Sequence, residues 1–310
     1  MTTTIDLTTV QQILRTHFDP GSQAVEAVGA GAWSRAYGFD CAGRRLVVRI
    51  GQYVDDFEND ERAFRYAADD LPIPEVLAIG RVDEGYFAVS TRVDGVPLEQ
   101  VDAAHWRATV PSLAAALEAL RLADLDGQPG WGGWGGDGVA PYPSWSAFLL
   151  AVSDDTPARR THGWRTLLAQ DAEGAAAFAW GYDRLRRLVR DDVPRSLIHA
   201  DLINRNVLVT NGQLTGVFDW GCATYGDHLY DLAWFMFWSP WHPQLDLGLL
   251  RAELERRWKL AGYVPEHLDD RLRVCALHIG LDHLAYNAYT GDALNLAATA
   301  ARMRELVQVR

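Results

Sequence analysis

The sequence predicts an α+β protein with two lobes, a small β-rich N-terminal lobe and a larger, mainly helical C-terminal lobe. Short runs of β-branched and aromatic residues, separated by turn residues, occupy the region up to about residue 93. Long segments with apolar residues at helical spacing dominate the remainder. The chain has 310 residues, which is enough for two cores. We therefore expect one lobe over residues 1–93 and a second over residues 94–310.

The N-terminal lobe is expected to begin with a helix and continue mainly as strands. Residues 8–18 carry apolar side chains at helical spacing behind a threonine cap. Two β-type runs, around 35–40 and 45–50, flank an Ala-Gly turn and predict an antiparallel hairpin. Residues 56–69 are predicted to be helical. Residues 71–93 are predicted to form two strands around an acidic turn, because two prolines exclude a helix there.

The C-terminal lobe follows a linker, "DGVPL", at residues 94–98. Residues 197–219 are predicted to form strand, loop, strand, Asn-Gly turn and strand. The periodic apolar segments on either side of this unit are predicted to be helices, at about residues 106–124, 173–190, 245–260, 268–288 and 293–308.

Charge and cysteine content restrict the classes of partner and compartment. The formal net charge is −12 and the sequence pI is about 5.1. This argues against a nucleic-acid or anionic-membrane partner and leaves a cationic small molecule open. Three widely spaced cysteines without a C-x-x-C pattern favour a reducing compartment over disulfides or zinc. With no visible signal peptide and no apolar run long enough to span a bilayer, we expect a cytoplasmic protein. We further expect a monomer.

The stretch "LIHADLINRNVLVTNGQLTGVFDWG", residues 197–221, carries the strongest chemical signal. It contains Asp201, then Asn206 five positions later, then Asp219 beyond a hairpin. Phosphoryl transfer needs such a set, since one aspartate orients the attacking hydroxyl while an amide oxygen and a second aspartate hold magnesium. Loop residues that bond their own backbone are the alternative interpretation of Asp201 and Asn206.

Two further polar residues, one within this stretch and one beyond it, are interpreted as structural support. His199 precedes the loop aspartate, and we expect it to brace the loop by hydrogen bonds rather than to act in acid–base catalysis. Asp231 begins a predicted helix, where it either caps the helix or bonds the catalytic loop.

The motifs "HADLINRNVL" and "VFDWG" resemble the catalytic and metal-binding loops of the aminoglycoside phosphotransferase family, which shares the protein-kinase fold. Further similar blocks, including "LPIPEVLAIG", "YGDHLYDLAWFMFWSPW" and "HIGLDHL", extend the resemblance from about residue 8 to 308 and indicate the hygromycin branch. The resemblance implies a two-lobed, protein-kinase-like fold with ATP (or GTP) and Mg²⁺ as cofactors. It further implies Asp201 as the catalytic residue and Asn206 and Asp219 as magnesium ligands. The implied acceptor is a cationic aminocyclitol antibiotic, with hygromycin B as the leading candidate.

The segment "VGAGAWSRAY", residues 28–37, lies where the family covers the nucleotide. Gly29 and Gly31 would let backbone amides approach phosphate oxygens, and Ser34 is a possible additional donor. A dinucleotide-binding turn is excluded, because the third glycine is missing and a strand rather than a helix follows. An ordinary β-turn is the structural alternative.

A departure from the family pattern occurs on the third strand, where most members carry a lysine for the phosphates. "RLVVRIG" offers Arg49, which keeps the charge but has a wider, forked head. Alternation with Leu46, Val48 and Ile50 puts Arg49 on the opposite face of the strand. Among the acids of the following helix, Glu61 is the favoured partner for Arg49, with Glu58 and Asp60 as other candidates.

Two more assignments follow from position in the family pattern. The segment from Ser90 to Val93 resembles the linker whose backbone reads the base. Asp282, in "GLDHL", is the favoured acid for binding the cationic acceptor. The alternative interpretation is that Asp282 is a structural helix residue paired with a nearby arginine such as Arg273. A nearby set of aromatic side chains forms either core or the wall of a sugar site, namely Trp234, Phe235, Phe237, Trp238 and Trp241.

The sequence leaves two other functions open. A kinase of another small hydroxylated molecule (a macrolide, choline, homoserine or a sugar) would use the same loop. A catalytically silent nucleotide-binding protein would retain the fold, and Arg49 in place of lysine keeps that alternative open.

Overall fold

The computed structural model describes residues 6–83 and 85–308 of the chain. Its helices are α1 (Leu7–His17), α2 (Val54–Ala63), α3 (Ala103–Leu122), α4 (Trp145–Leu150), α5 (Trp164–Leu168), α6 (Ala172–Leu188), α7 (Leu229–Trp238), α8 (Leu247–Leu260), α9 (Leu268–Thr290) and α10 (Ala293–Gln308). Its strands are β1 (Gln23–Ala30), β2 (Ser34–Cys41), β3 (Arg44–Gly51), β4 (Val76–Val82), β5 (Gly85–Thr91), β6 (Val96–Pro97), β7 (Gly132–Gly133), β8 (Ser196–Ile198), β9 (Val207–Thr210), β10 (Gln213–Val217) and β11 (Thr224–Gly226).

The N-terminal part is built on one five-stranded antiparallel sheet with strand order β1-β2-β3-β5-β4. The predicted hairpin is confirmed, and β2 and β3 are joined at Ala42 and Gly43. Their φ angles are +50° and +75°, the two positive values that a tight type I′ turn requires. Glycine satisfies this geometry without strain. The expected two strands after α2 are also present as β4 and β5.

Strand β1 was not expected from the sequence. Seven of its eight residues are exposed and its pairing with β2 is interrupted by two register shifts. An exposed edge strand with bulges lacks the apolar alternation by which a strand is recognised. Residues 28–37, interpreted as a covering loop, are therefore the last three residues of β1, a three-residue turn and the first four residues of β2.

Helix α1 packs on the face of this sheet and completes a small core. Val10 and Leu14 are fully buried there with Leu46 and Val48 of β3. The helix is capped by Asp6, whose carboxylate accepts a hydrogen bond from the Thr9 amide at 2.9 Å, so the expected threonine cap is wrong. Aspartate is the better cap because its charge also interacts favourably with the helix dipole.

The C-terminal part has a larger core dominated by helices, to which two three-stranded sheets also contribute. The sheet order is β10-β9-β6 in one and β7-β11-β8 in the other. Helix α9 runs through the centre and packs against α5, α6, α7 and α10. Among the described residues, four tryptophans are at most 1% exposed, Trp106, Trp145, Trp164 and Trp220. Burial of a large apolar side chain contributes about 1.5–3 kcal/mol, so these rings are major anchors of the lobe.

The α+β fold class, with a β-rich N-terminal part and a helical C-terminal part, is confirmed. The exact division between residues 93 and 94 stays a prediction. Ala63, Leu71 and Ile73 precede that boundary but belong to the larger core, so α2 is packed against the C-terminal lobe. Within residues 6–83 and 85–308, no helix is both long and apolar enough to cross a membrane.

Candidate active site

The loop between β8 and β9 positions Asp201 through its own side-chain amides. Asn206 donates from Nδ2 to the Asp201 backbone oxygen at 2.8 Å and to its carboxylate at 3.0 Å. Asn204 donates to the other carboxylate oxygen at 2.6 Å. Both carboxylate oxygens of Asp201 are thus held by neutral amides. Burial raises the pKa of Asp201 well above its usual value, while the two asparagines oppose this shift.

The same loop is held in an uncommon backbone conformation. Ala200, Asn204 and Arg205 have φ angles of +64°, +57° and +68°, and Asp219 has +65°. Such left-handed residues other than glycine cost of order 1–3 kcal/mol each and cluster at functional sites. The surrounding contacts therefore maintain a conformation that the isolated chain would avoid.

His199 and Asp231 supply those contacts. The Asp231 carboxylate accepts hydrogen bonds from the backbone amides of His199, at 3.0 Å, and Ala200, at 2.8 Å. The His199 ring lies 3.2 Å from the Asp201 amide through Nδ1 and 3.1 Å from the Phe218 carbonyl through Nε2. Burial lowers the pKa of His199 to about 4, so the ring is neutral and can accept at Nδ1 while donating at Nε2. Burial raises the pKa of Asp231 to about 7, although the hydrogen bonds from the two backbone amides act to lower it.

The contacts of these two residues match the bracing interpretation. Asp231 lies in the first turn of α7, and its carboxylate bonds the loop of Asp201. His199 links that loop to the segment that carries Asp219. Both side chains act on backbone groups, which is how a loop conformation is fixed.

Asn206 and Asp219 are brought together by the β9–β10 hairpin. Val207 pairs with Val217, and the Phe218 amide donates to the Asn206 carbonyl at 3.0 Å. Asn206 uses its amide nitrogen for both bonds to Asp201, which leaves its side-chain oxygen as the acceptor end. An amide oxygen and a carboxylate, the kind of ligands that hard cations prefer, are therefore carried by adjoining ends of the two hairpin strands.

Arg49 connects the sheet to this hairpin. Its guanidinium donates to Asp60 at 2.5 Å and to Asp219 at 2.9 Å, and its Nε lies 3.4 Å from the Ser34 hydroxyl. Leu46, a neighbour on the other face of β3, is buried in the small core, as the alternation predicts. Burial alone would lower the pKa of Arg49, but Asp219 and Asp60 outweigh it and raise the pKa above its usual value.

The expected pairing of Arg49 with Glu61 is wrong, because Asp60 occupies that position. Glu61 is exposed to solvent, one residue further around α2. Successive helical residues point about 100° apart, so only one of the two can face β3. Asp60 is fixed by a second bond, from the Trp220 amide at 2.7 Å. Burial and the charge of Asp219 raise the pKa of Asp60 to about 6, and Arg49 opposes this.

A cleft of about 530 Å³ lies where the sheet meets the helical lobe. The predicted residues that line it are Gly29, Gly31, Ser34, Arg49, Ser90, Val93, Asn206 and Asp219. Side chains of both lobes therefore reach one cavity of a size suited to a small-molecule ligand.

Gly29, near the end of β1, and Gly31, in the turn before β2, border this cleft, and residues 29–33 are called the glycine turn below. A Cβ atom built on Gly29 would meet no heavy atom of the described residues within 4 Å, and one on Gly31 would lie 3.8 Å from the Ser34 oxygen. Both positions therefore have room for a Cβ atom, so packing does not require glycine at either of them. Ser90 lies within β5, paired with Val47 and Val76, and Val93 follows the strand.

Asp282 lies on α9, outside the lining of this cleft as the structure describes it. Its carboxylate accepts a hydrogen bond from Arg159 at 2.6 Å, with the Asp282 side chain 46% exposed. The alternative partner Arg273 bonds Asp270 instead. Asp282 is thus paired, but still accessible to a ligand.

The aromatic set near Asp282 divides into core and surface. Trp234, Phe235 and Phe237 are buried, whereas Trp241 is 37% exposed. Trp238 is half-buried and contacts Trp241, with ring centroids 5.2 Å apart. Trp238 also lies 4.7 Å from the ring of His283, the residue after Asp282. The core interpretation is therefore confirmed for Trp234, Phe235 and Phe237, and the wall of a sugar site stays a prediction for Trp238 and Trp241.

Some site residues were missed by sequence reasoning. Asn204 holds Asp201, and Asn204, Arg205 and Gln100 line the cleft. The signal for Asn204 was present, because it is a polar side chain between Asp201 and Asn206 in the same motif. Arg160, which bonds α2 from the other lobe, gave no local signal at all.

A β-rich lobe and a helical lobe share one cleft, where Arg49 bonds Asp219 on the hairpin that also carries Asn206, next to the loop of Asp201. This combination of fold and site defines a kinase-type phosphotransferase. Residues 24–269 match the model of the "Phosphotransferase enzyme family", and the chain belongs to this family.

Relatives with a narrower name support the same conclusion. Hygromycin-B 4-O-kinase of Escherichia coli is 34% identical over 305 residues, which cover 97% of this chain and 85% of the relative. The crystal structure of aminoglycoside phosphotransferase APH(4)-Ia matches with a TM-score of 0.84 and 33% identity, covering 98% of this chain and 99% of that one. A thermostable mutant of that enzyme, in a ternary complex with AMP-PNP and hygromycin B, matches with a TM-score of 0.82 and 33% identity, covering 96% and 98%. The inferred family resemblance and the protein-kinase-like fold are confirmed.

Proposed function

We propose that this chain transfers the γ-phosphoryl group of a nucleoside triphosphate to a hydroxyl group of an aminocyclitol antibiotic, hygromycin B. The observation that carries the reaction is the contact between Arg49 and Asp219, which joins the cleft of the sheet to the hairpin beside Asp201. Support for the acceptor is the similarity to Hygromycin-B 4-O-kinase over nearly the whole chain. By that similarity, the 4-hydroxyl is the proposed site of transfer.

The nucleotide, ATP or GTP, would occupy the cleft between the lobes. Its phosphates would meet Arg49, the amides of Gly29 and Gly31 and the Ser34 hydroxyl, which together neutralise charge that builds up during transfer. The base would lie against the backbone of residues 90–93. These assignments rest on the common lining of one cavity.

Magnesium fits the donor set on the hairpin. Among the described residues, no cluster of three or more His, Cys, Asp or Glu side chains is suited to a metal. An ion held by one carboxylate and one amide oxygen, with phosphate and water as its other ligands, is the usual arrangement for Mg²⁺. Asp219 and Asn206 would hold it, and bound there it would neutralise phosphate charge.

Asp201 would accept the proton of the attacking hydroxyl. As the acceptor oxygen forms its bond to the γ-phosphorus, the bond to the β,γ-bridging oxygen breaks, the proton passes to Asp201 and a nucleoside diphosphate leaves. The raised pKa of Asp201 suits a base, because a carboxylate with a higher pKa takes a proton more readily. Asn204 and Asn206 hold the carboxylate in position, and His199 and Asp231 hold its loop.

The acceptor would bind on the helical side, near Asp282. A cationic amine could share the Asp282 carboxylate with Arg159 or displace it, and the exposed faces of Trp238 and Trp241 would offer a surface for sugar rings. The net charge of −12 favours a cationic ligand.

An ADP-release assay across aminoglycosides, macrolides, choline and homoserine tests the proposal. We expect stimulation by hygromycin B and a product phosphorylated at its 4-hydroxyl, identified by mass spectrometry and NMR. Stimulation by a different compound would reassign the acceptor. Nucleotide binding without stimulation by any compound would support a silent nucleotide-binding protein instead.

A further inference from the structure

Arg160 fastens helix α2 to the helical lobe. It lies in the loop before α5 and donates to both carboxylate oxygens of Asp56, at 2.9 and 2.8 Å, and to Asp55 at 2.9 Å. Its guanidinium also lies 3.9 Å from the ring centroid of Tyr53, the residue that precedes α2. The Asp56 side chain is 11% exposed and that of Arg160 is 27% exposed, so this pair is better shielded from water than an ordinary surface pair.

The same helix carries the acid that holds Arg49. Asp56 and Asp60 are one turn apart and lie on the same face of α2. Asp60 bonds Arg49 at 2.5 Å and the Trp220 amide at 2.7 Å. A displacement of α2 at Asp56 would therefore move the group that orients the Arg49 guanidinium.

A second contact leads from Arg160 to the glycine turn. Tyr53 packs edge-to-face on Trp33, with ring centroids 5.5 Å apart. Trp33 lies in the turn between β1 and β2, two residues after Gly31. Arg160 is thus connected to two elements of the cleft that are proposed to meet the phosphates. It is connected to Arg49 through helix α2, and to the glycine turn through Tyr53 and Trp33.

We propose that Arg160 is a positioning residue for the nucleotide, which it does not touch: it holds α2 through Asp56 and the glycine turn through Tyr53, so that Arg49 and the turn amides face the phosphates. Arginine suits this role because one planar fork can bond a carboxylate twice and still stack on a ring. That the ligand in the cleft is a nucleotide rests on the proposed function. The contacts that carry the inference are independent of the acceptor.

Arg160→Ala, Arg160→Lys and Tyr53→Leu are the test variants, and Arg187→Ala is the matched control. Arg187 also pairs with an aspartate, Asp183, but both side chains are largely exposed at 74% and 54%, and the pair lies within α6. We expect Arg160→Ala to weaken AMP-PNP binding about tenfold, equivalent to about 1.4 kcal/mol. Arg160→Lys and Tyr53→Leu should each cause a smaller loss, since each retains part of the contact. Arg187→Ala should leave binding unchanged, and the KM for the acceptor should be unchanged in all four.

A test in the Asp60→Asn background separates positioning from general stabilisation. If Arg160 acts through Asp60 and Arg49, its removal in that background should cost less AMP-PNP affinity than it does in the wild type. An equal loss in both backgrounds would overturn the role through α2, as would a loss no greater than that of Arg187→Ala.

Amide hydrogen exchange of the ligand-free protein provides a readout that needs neither nucleotide nor acceptor. Arg160→Ala should exchange faster than wild type in residues 54–63, with unchanged exchange in α6. Unchanged exchange in residues 54–63 would refute the positioning role whether or not the protein is a kinase. If exchange increases and AMP-PNP binds while no acceptor stimulates turnover, the proposed function fails and the role of Arg160 stands.

Discussion

Arg49 and Asp219 are 170 residues apart in the chain and 2.9 Å apart in the structure. This single hydrogen bond joins the third strand of the N-terminal sheet to the hairpin of the helical lobe. It also puts a cation beside the proposed magnesium ligand, at the cleft where phosphate groups would lie. Arginine in place of the usual lysine is therefore a bridging residue, with Asp60 on its other arm.

Replacing Arg49 tests this bridge. Arg49→Ala should lower kcat/KM for the nucleotide on the order of 10²-fold, the scale found when one electrostatic donor is removed from a site. Arg49→Lys should retain an intermediate activity, because a single ammonium cannot span both carboxylates as the fork does. Initial rates at saturating acceptor provide the measurement, with Arg44→Ala at the exposed start of the same strand as control. A lysine variant as active as the wild type would show that the charge alone suffices and would contradict the bridging role of Arg49.

Asp201→Ala should lower kcat by about 10²–10⁴, the usual contribution of a positioned acid or base. Asp201→Asn should be similarly impaired, since an amide keeps the shape but cannot take the proton. The KM for the nucleotide should change little in both variants. Product formation is measured at saturating substrates, and turnover near the wild-type rate would rule out Asp201 as the base.

Asp282→Ala should raise the KM for the acceptor about tenfold and leave the KM for the nucleotide unchanged, because a hydrogen bond to a charged group contributes about 1.5–3 kcal/mol. Arg159→Ala is the complementary variant. It removes the guanidinium that is bonded to the Asp282 carboxylate and would compete with a cationic acceptor. The KM for such an acceptor should therefore fall or stay the same. Equal changes in both KM values for Asp282→Ala would indicate a structural role in α9.

His278 should make the protein less stable as the pH falls. Burial lowers the pKa of its imidazole to about 4, against about 6.5 in an unfolded chain. Between pH 6.5 and 4 the unfolded state binds the additional proton, so the free energy of unfolding decreases as the pH falls through this range. Above pH 6.5 both states are neutral and the effect vanishes. His278→Asn should keep an acceptor for the Tyr230 hydroxyl and flatten the slope by up to about 1.4 kcal/mol per pH unit.

Urea unfolding of wild type and His278→Asn at pH 7.5, 6.5 and 5.5 measures that difference. Comparing the two slopes isolates His278, because burial also lowers the pKa of His199 and His228 to about 4. Parallel slopes would mean that His278 is not neutral and buried in the folded protein.

Arg271→Ala should destabilise the fold by about 3–5 kcal/mol, since it leaves a buried carboxylate without its cation. Arg271 bonds Asp227 through two nitrogens, at 2.8 and 2.6 Å, and the side chains are 4% and 1% exposed. Arg251→Ala is the control, because its pairs are exposed and such pairs contribute about 0–1 kcal/mol. Denaturant midpoints give the comparison, and equal effects of the two variants would contradict a buried pair.

Much of the fold could be predicted from local patterns. The hairpin of β2 and β3 was recognisable because turn chemistry and alternation agree there, and the long helices because their apolar periodicity extends over many residues. Strand β1 was missed, since an exposed edge strand presents no buried face. The cap of α1 was misassigned by a few residues, as helix ends commonly are.

The sequence by itself determined the reaction class, because Asp201, Asn206 and Asp219 lie within one short stretch whose hairpin folds them together. It also determined that Arg49 faces away from the small core, since strand alternation is a local property. Only the tertiary structure decided three ion pairs: the acid that binds Arg49, the arginine that binds Asp282 and the arginine that binds α2. Asp60 and Glu61 are adjacent in sequence, and the packing of α2 between two lobes selects one of them. Arg160 and Asp56 are separated by more than a hundred residues, so no local pattern could pair them.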